Sequence, residues 1–172
     1  IVVVLLVSAV LGSTSVDAQT DEAELRDARA YAATYGVDLS EARRQLNLER
    51  DAGKLDAILS AREPDAFAGL WIDHRPAFRV TAQFTRDENQ ILQRQVAGTP
   101  LATVAQARTA RSTLAQLRAQ QQSLLPLARA VPAELDINVR ENRVEILVTS
   151  VERLGQVARQ IGAASPVDVK GV

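Results

Sequence analysis

The apolar positions of the chain change period several times, and each change predicts an element. From Asp21 onward, Leu25, Ala28, Ala32 and Tyr35 follow steps of three and four, the spacing of one helix face. Asp21, Glu22 and Glu24 suit the positive end of that helix, and Gly36 suits its stop. A second helix is expected from Asp38 or Ser40, with Leu39, Ala42, Leu46 and Leu48 as its stripe. A third is expected from Glu49 to Arg62, with Leu55, Ile58 and Leu59 inward, weakened by Gly53 and ended by Pro64. At Phe67 the period shortens to two. Gly69 to His74 and Phe78 to Thr85 read as strands, joined by a turn at Arg75-Pro76-Ala77. In the second strand Phe78, Val80, Ala82 and Phe84 alternate with Arg79, Thr81, Gln83 and Thr85, which predicts a sheet with one wet face.

Asp87 to Val96 reads as a short helix packing through Ile91, Leu92 and Gln95, with Gly98 as its stop. Leu101 to Arg111 is alanine-rich, which favours helix, but it follows Pro100 and alternates, and a strand is the expectation. Thr113-x-x-Gln116 is a capping box opening a helix through Leu114, Leu117, Gln121, Leu124 and Leu125 to about Ala130, with a kink at Pro126. Glu134 to Thr149 reads as a hairpin: Leu135, Ile137 and Val139, then Val144, Ile146 and Val148, around a tight turn at Glu141-Asn142. Ser150 suits the cap of a further helix through Leu154, Val157, Ala158 and Ile161, and Pro166 precedes a last strand, Val167 to Val169.

The two halves resemble each other. FRVTAQFT (78–85) and NRVEILVT (142–149) each lead into a helix, and an offset of 64 residues pairs Arg79 with Arg143, Val80 with Val144 and Thr85 with Thr149. The expected fold is α+β: a helical arm over 19–65, then two small sheet-and-helix ββαβ units over 66–111 and 112–172.

The run IVVVLLVSAVL at the start is apolar over 11 residues, against roughly 20 for a membrane-spanning helix. It matches the apolar core of a secretory signal peptide, with Val16 and Ala18 placed for cleavage before Gln19. The other reading is a buried hydrophobic helix. The chain holds no Met, so a basic leader is expected in front of Ile1. The expectation for residues 1–18 is thus a signal peptide, and for the protein a secreted location, extracellular or periplasmic, without a stable membrane span.

Composition narrows the chemistry. Lys and Arg total 20 against 21 acids, a net charge of −1, which argues against nucleic acid as a partner. Arginine outnumbers lysine 18 to 2, but the arginines are scattered and balanced by acids. With no Cys and one His, no thiolate or histidine-cluster metal site is available, and no cofactor is expected. Asp73 and His74 are neighbours on a strand and point to opposite faces, so they form no catalytic dyad. Asp136 and Asn138 share a strand face with Arg140 beside them, the pattern of a wet sheet surface, and Glu145 is placed to pair across with Arg140 or a neighbour. Trp71, Phe67, Phe78 and Phe84 read as hydrophobic core in the absence of a basic stripe. No G-x-S-x-G elbow, Gly-Asp-Ser-Gly loop or glycine-rich phosphate loop occurs. No catalytic residue is therefore assigned.

AFAGLWIDHRPAFRVTAQFT (66–85) resembles a segment of the pro-regions of secreted bacterial chymotrypsin-like serine peptidases, the alpha-lytic and streptogrisin type. YGVDLSEARRQLNLERDAGKLDAIL (35–59) is similar to their helical segment, and ELDINVRENRVEILVT (134–149) to their later hairpin. The resemblance spans about Asp21 to Val172. It implies a non-catalytic module that assists folding of a peptidase and then inhibits it, binding by strand addition to a peptidase hairpin. It places the partner-binding positions in Glu134 to Thr149 or Val167 to Val169, with Val144, Ile146, Val148, Val167 and Val169 as the candidates. The family's catalytic His, Asp and Ser belong to a peptidase part beyond Val172, so none is carried over. The alternative is a stand-alone secreted binding or structural domain of the same fold.

Overall fold

The computed structural model describes residues 14–130, 133–148 and 167–171, with side chains over 21–130 and 133–148. Among them are four α-helices and six strands: α1 (Thr14–Tyr35), α2 (Leu39–Arg62), β1 (Phe67–Asp73), β2 (Arg79–Phe84), α3 (Glu88–Val96), β3 (Ala105–Thr109), α4 (Leu114–Ala130), β4 (Ala133–Asn138), β5 (Arg143–Val148) and β6 (Val167–Gly171). The class is α+β. Two compact units divide at Asn47/Leu48, inside α2.

In the first unit, α1 begins at Thr14, ahead of the expected Asp21, so the Ala18–Gln19 bond lies within its early turns. It ends at Gly36, whose φ of 70° suits a residue without a Cβ. Asp38 opens α2: its Oδ1 accepts from the Glu41 amide at 2.8 Å and the Ser40 hydroxyl at 2.6 Å. The Ser40 and Glu41 hydrogen bonds hold the Asp38 carboxyl below its ordinary range. Ala28, Tyr31 and Ala42 are buried together, and the Tyr31 hydroxyl donates to Gln45 at 2.9 Å. Gln45 donates onward to Glu41, which also takes both forks of Arg44 at 2.7 Å.

The second and third expected helices are one. α2 runs unbroken through Gly53, because Leu48, Ala52, Leu55 and Leu59 are all buried in one core. Four buried apolar side chains outweigh the ~1 kcal/mol that a mid-helix glycine costs. These late turns belong to the second unit, although the arm was expected to extend to residue 65.

The second unit contains two three-stranded sheets, ordered β1-β2-β3 and β4-β5-β6. In each, the first pair is antiparallel and the second parallel. The internal repeat is visible in the registers. Val80 stands opposite Ile72 and Ala105; Val144, 64 positions on, stands opposite Ile137 and Val167. Val80, Ala82 and Phe84 are fully buried, and so are Val144, Ile146 and Val148. In the first repeat α3 carries the chain across from β2 to parallel β3, with Ile91, Leu92 and Val96 buried on the sheet. Val96 takes the inward place expected of Gln95, which is half-exposed. Residues 101–103, expected as strand, are part of a 3-10 turn over Pro100–Thr103, and the strand starts at Ala105. The expected helix after Ser150 lies outside the described residues.

The capping box closes as expected: the Thr113 amide donates to Gln116 Oε1 at 2.8 Å, and the Gln116 amide to Thr113 Oγ1 at 3.1 Å. It opens α4, which continues past Pro126 to Ala130. Leu124 and Leu127 of α4 pack on Ile146 and Val148.

One expectation fails in an informative way. The wet face of β2 is not wet: Thr81 and Gln83 are each 1 % exposed. Directly opposite residues share a sheet face, so Trp71 and Gly69 of β1 join Thr81 and Gln83 there. That face is covered by the turn of the second hairpin. Trp71 accordingly lies outside the aromatic core formed by Phe67, Phe78 and Phe84.

Candidate functional site

The partner-binding candidates separate by position. Val144, Ile146 and Val148 are on β5, the central strand of its sheet, so that backbone pairs with β4 on one side and β6 on the other. Their side chains are buried. They build the sheet and present no edge. Val167 and Val169 are on β6, opposite Val144 and Ile146, at one end of the strand order. Among the described residues, no strand lies on the outer side of β6.

The turn of the hairpin is longer than expected. β4 and β5 are joined through Val139, Arg140, Glu141 and Asn142, with Asn142 at φ 52° and its amide bonded to the Val139 carbonyl. This turn docks on the first sheet and on the segment that follows β3, through polar contacts and through the side chain of Val139. Gln83 Nε2 donates to the Val139 carbonyl at 2.6 Å. Asn142 Oδ1 accepts from the amides of Arg111 and Ser112 at 2.9 and 2.8 Å, and its Nδ2 donates to the Ser112 carbonyl at 2.8 Å. One asparagine side chain thus satisfies three backbone groups of the segment following β3. Val139 sits directly on Gly69.

Arg140 anchors the other flank. Its Nη1 lies 2.7 Å from Asp73 Oδ1, and its guanidinium carbon is 5.3 Å from the Trp71 ring centroid. Trp71 Nε1 donates to the same carboxylate at 3.0 Å. Burial pushes the Asp73 carboxyl up, but the hydrogen bonds from Arg140 and Trp71 outweigh it, and the group is held below its ordinary range. Asp73 is therefore committed to Arg140 and Trp71, while His74 Nδ1 lies 3.7 Å from Glu49 Oε1 and its ring is edge-on to Phe78. The two neighbours serve different elements.

Glu145 is 6 % exposed and accepts from Asn138 Nδ2 at 2.8 Å, with Arg143 Nε at 3.4 Å. Its partners are these neighbours and not Arg140. Asp136 is exposed and accepts the Ile137 amide. Elsewhere in the second unit Asp56 of α2 is half-buried; burial pushes its carboxyl up, and Arg118 of α4 partly offsets this.

Between the hairpin turn and the segment after β3 lies an open cavity of about 470 Å³. Its wall includes Arg108, Arg111, Arg140, Arg143, Glu141 and Asn142. The sequence reading did not gather these residues. The signal available to it was a repeated spacing, Arg108-x-x-Arg111, running from the end of β3 into the segment after it, and Arg140-x-x-Arg143, running from the hairpin turn into the start of β5.

Among the described residues, no helix is long and apolar enough to cross a membrane, and no three His, Asp or Glu side chains gather as metal ligands. No protein-family model matches the chain, and no curated protein matches it at a significant level.

Proposed function

We propose that the chain is a secreted, non-catalytic pro-region-like module that assists folding of a chymotrypsin-like serine peptidase and then inhibits it. The observation that carries this reading is β6, a strand at the end of a three-stranded sheet whose outer side meets no strand among the described residues. An open edge offers backbone donors and acceptors to a partner strand, and the alternating side chains supply specificity. A module that binds the folding transition state of its client lowers that barrier, and binding to the folded client is the inhibition. Export follows from the apolar segment Ile1 to Leu11, with the secreted chain beginning at Gln19.

The test is hydrogen exchange of the protein with and without a secreted bacterial chymotrypsin-like peptidase, alongside an inhibition constant. Amides of Val167 to Lys170 gain protection when peptidase is added. Proline at a position whose amide faces outward raises the inhibition constant by about tenfold or more, the loss of one or two interfacial hydrogen bonds, with the circular dichroism unchanged. Equal exchange in β6, or inhibition indifferent to proline at every position there, rejects strand addition through this edge. Protection of β6 that instead rises with the chain's own concentration assigns the edge to self-association and the chain to a stand-alone domain.

A further inference from the structure

We infer that the cavity beside the hairpin turn is a binding site for a polycarboxylate, in the form of an acidic peptide segment bearing two neighbouring carboxylates. The chain as a whole is slightly negative, yet four arginines and a single acidic residue, Glu141, are among the residues that line this one cavity. Two of the arginines are neutralised within the fold: Arg140 by Asp73 at 2.7 Å and Arg143 by Glu145 at 3.4 Å. The other two are not. Among the described residues, neither Arg108 nor Arg111 stands within ion-pair distance of a carboxylate, and the contact recorded for the Arg108 guanidinium is a long one, 3.5 Å, to the Arg140 carbonyl. Two arginines with no carboxylate partner among the described residues therefore line one concave surface.

The site is also held in shape before any ligand arrives. Asn142 ties the turn to the backbone of Arg111 and Ser112 through three hydrogen bonds, and Gln83 ties it to the Val139 carbonyl. A rim fixed by hydrogen bonds within the fold costs little to order on binding. Size and lining choose the ligand class. A volume of about 470 Å³ lies in the range of small-ligand pockets and exceeds what one inorganic ion fills. No aromatic side chain lines it, and Ala110 is its apolar residue, so a nucleobase or an apolar group finds nothing to stack on. Planar guanidinium forks pair bidentately with planar carboxylates. Two arginines three residues apart suit two such groups.

This assignment stands apart from the β6 edge and is tested without any peptidase. Titration calorimetry of the full chain is carried out with citrate, with an amidated peptide containing Asp-Glu pairs, with its Asn-Gln counterpart, and with inorganic phosphate. The expected result is binding of citrate and of the acidic peptide, weakening as salt rises, with the Asn-Gln peptide silent. The double substitution Arg108→Gln/Arg111→Gln lowers that affinity by about tenfold or more, the loss of two charge-assisted contacts. Arg111→Gln alone, at an exposed side chain, gives a smaller loss in the same direction and guards against a folding defect. Arg94→Gln, which removes an arginine paired with Glu63 on another face, changes nothing. Absence of binding by both carboxylate probes, binding of phosphate alone, or equal affinity of the double variant and the parent overturns the assignment.

Discussion

Replacing Phe84 by alanine is expected to lower the stability of the second unit by about 3–5 kcal/mol. Phe84 is 0 % exposed and stands opposite Phe67, with ring centroids 5.8 Å apart. It lies in the same buried cluster as Leu59 of α2, Ile91 of α3 and Leu101. The loss has two parts: the transfer of the ring, and a cavity that strands pinned on both sides close poorly. β2 is pinned in this way, since β1 and β3 flank it and the Phe84 carbonyl takes the Ala110 amide. Urea denaturation followed by circular dichroism measures the effect. Val148 occupies the corresponding place in the second sheet, 64 positions on, and is equally buried. Val148→Ala removes a smaller group and gives a smaller loss. A cost at Phe84 below about 1 kcal/mol would mean that the first sheet does not pack as described.

The second large effect is expected at Gly69. Its φ is 119°, in a region that side chains rarely adopt, and a Cβ placed there would lie 2.5 Å from Val139 Cγ1 and 3.3 Å from Cγ2. The strain arises at a bulge: Phe67 stands opposite Phe84 and Gly69 opposite Gln83, so Ala68 is an extra residue in β1. Gly69→Ala combines backbone strain of about 1–3 kcal/mol with overpacking of similar size, a total of about 2–6 kcal/mol. The two parts separate in a double-mutant cycle. Val139→Ala removes the clashing methyls but leaves the strained φ, so Gly69→Ala costs less in the Val139→Ala background than in the parent. If Gly69→Ala costs the same in both backgrounds, Val139 is not seated on the sheet and the hairpin turn does not dock there.

Local pattern made much of this fold legible. The capping box at Thr113 and Gln116, the cap at Asp38, the turn at Asn142 and the alternation of Val144, Ile146 and Val148 are all decided by residues within a few positions of one another. The repeat was legible for the same reason, since Arg79, Val80 and Thr85 recur in order 64 positions later. What the pattern did not show was set by distant residues. Thr81 and Gln83 look like a solvated face because their cover comes from far along the chain: the contact from Gln83 to Val139 spans 56 residues. Trp71 has the composition of a core residue, but its place under Arg140 depends on that same long-range docking. Two helices meeting at Leu48 and Glu49, the second weakened by Gly53, are what the pattern suggests, and only the core on which Leu48, Ala52, Leu55 and Leu59 converge carries one helix through both places. The candidate partner strand divides along the same line. Its valines were visible as a strand, but whether a strand is central or terminal is a property of the sheet, and β5 proves central while β6 ends the order. The arginine cavity was out of reach because its two Arg-x-x-Arg segments meet only when the hairpin turn lands on the first sheet.

The measurement that most directly tests the proposed role is refolding of a denatured, secreted bacterial chymotrypsin-like serine peptidase domain in the presence of this chain. Recovery of native peptidase is followed by proteolytic activity after the chain has been digested away, and inhibition is read before digestion. A module that lowers the folding barrier raises the refolding rate by at least about tenfold for each 1.4 kcal/mol of transition-state stabilisation, and leaves the product inhibited at one chain per peptidase. A refolding rate that does not change with chain concentration, together with full activity of the native peptidase in its presence, would contradict the account.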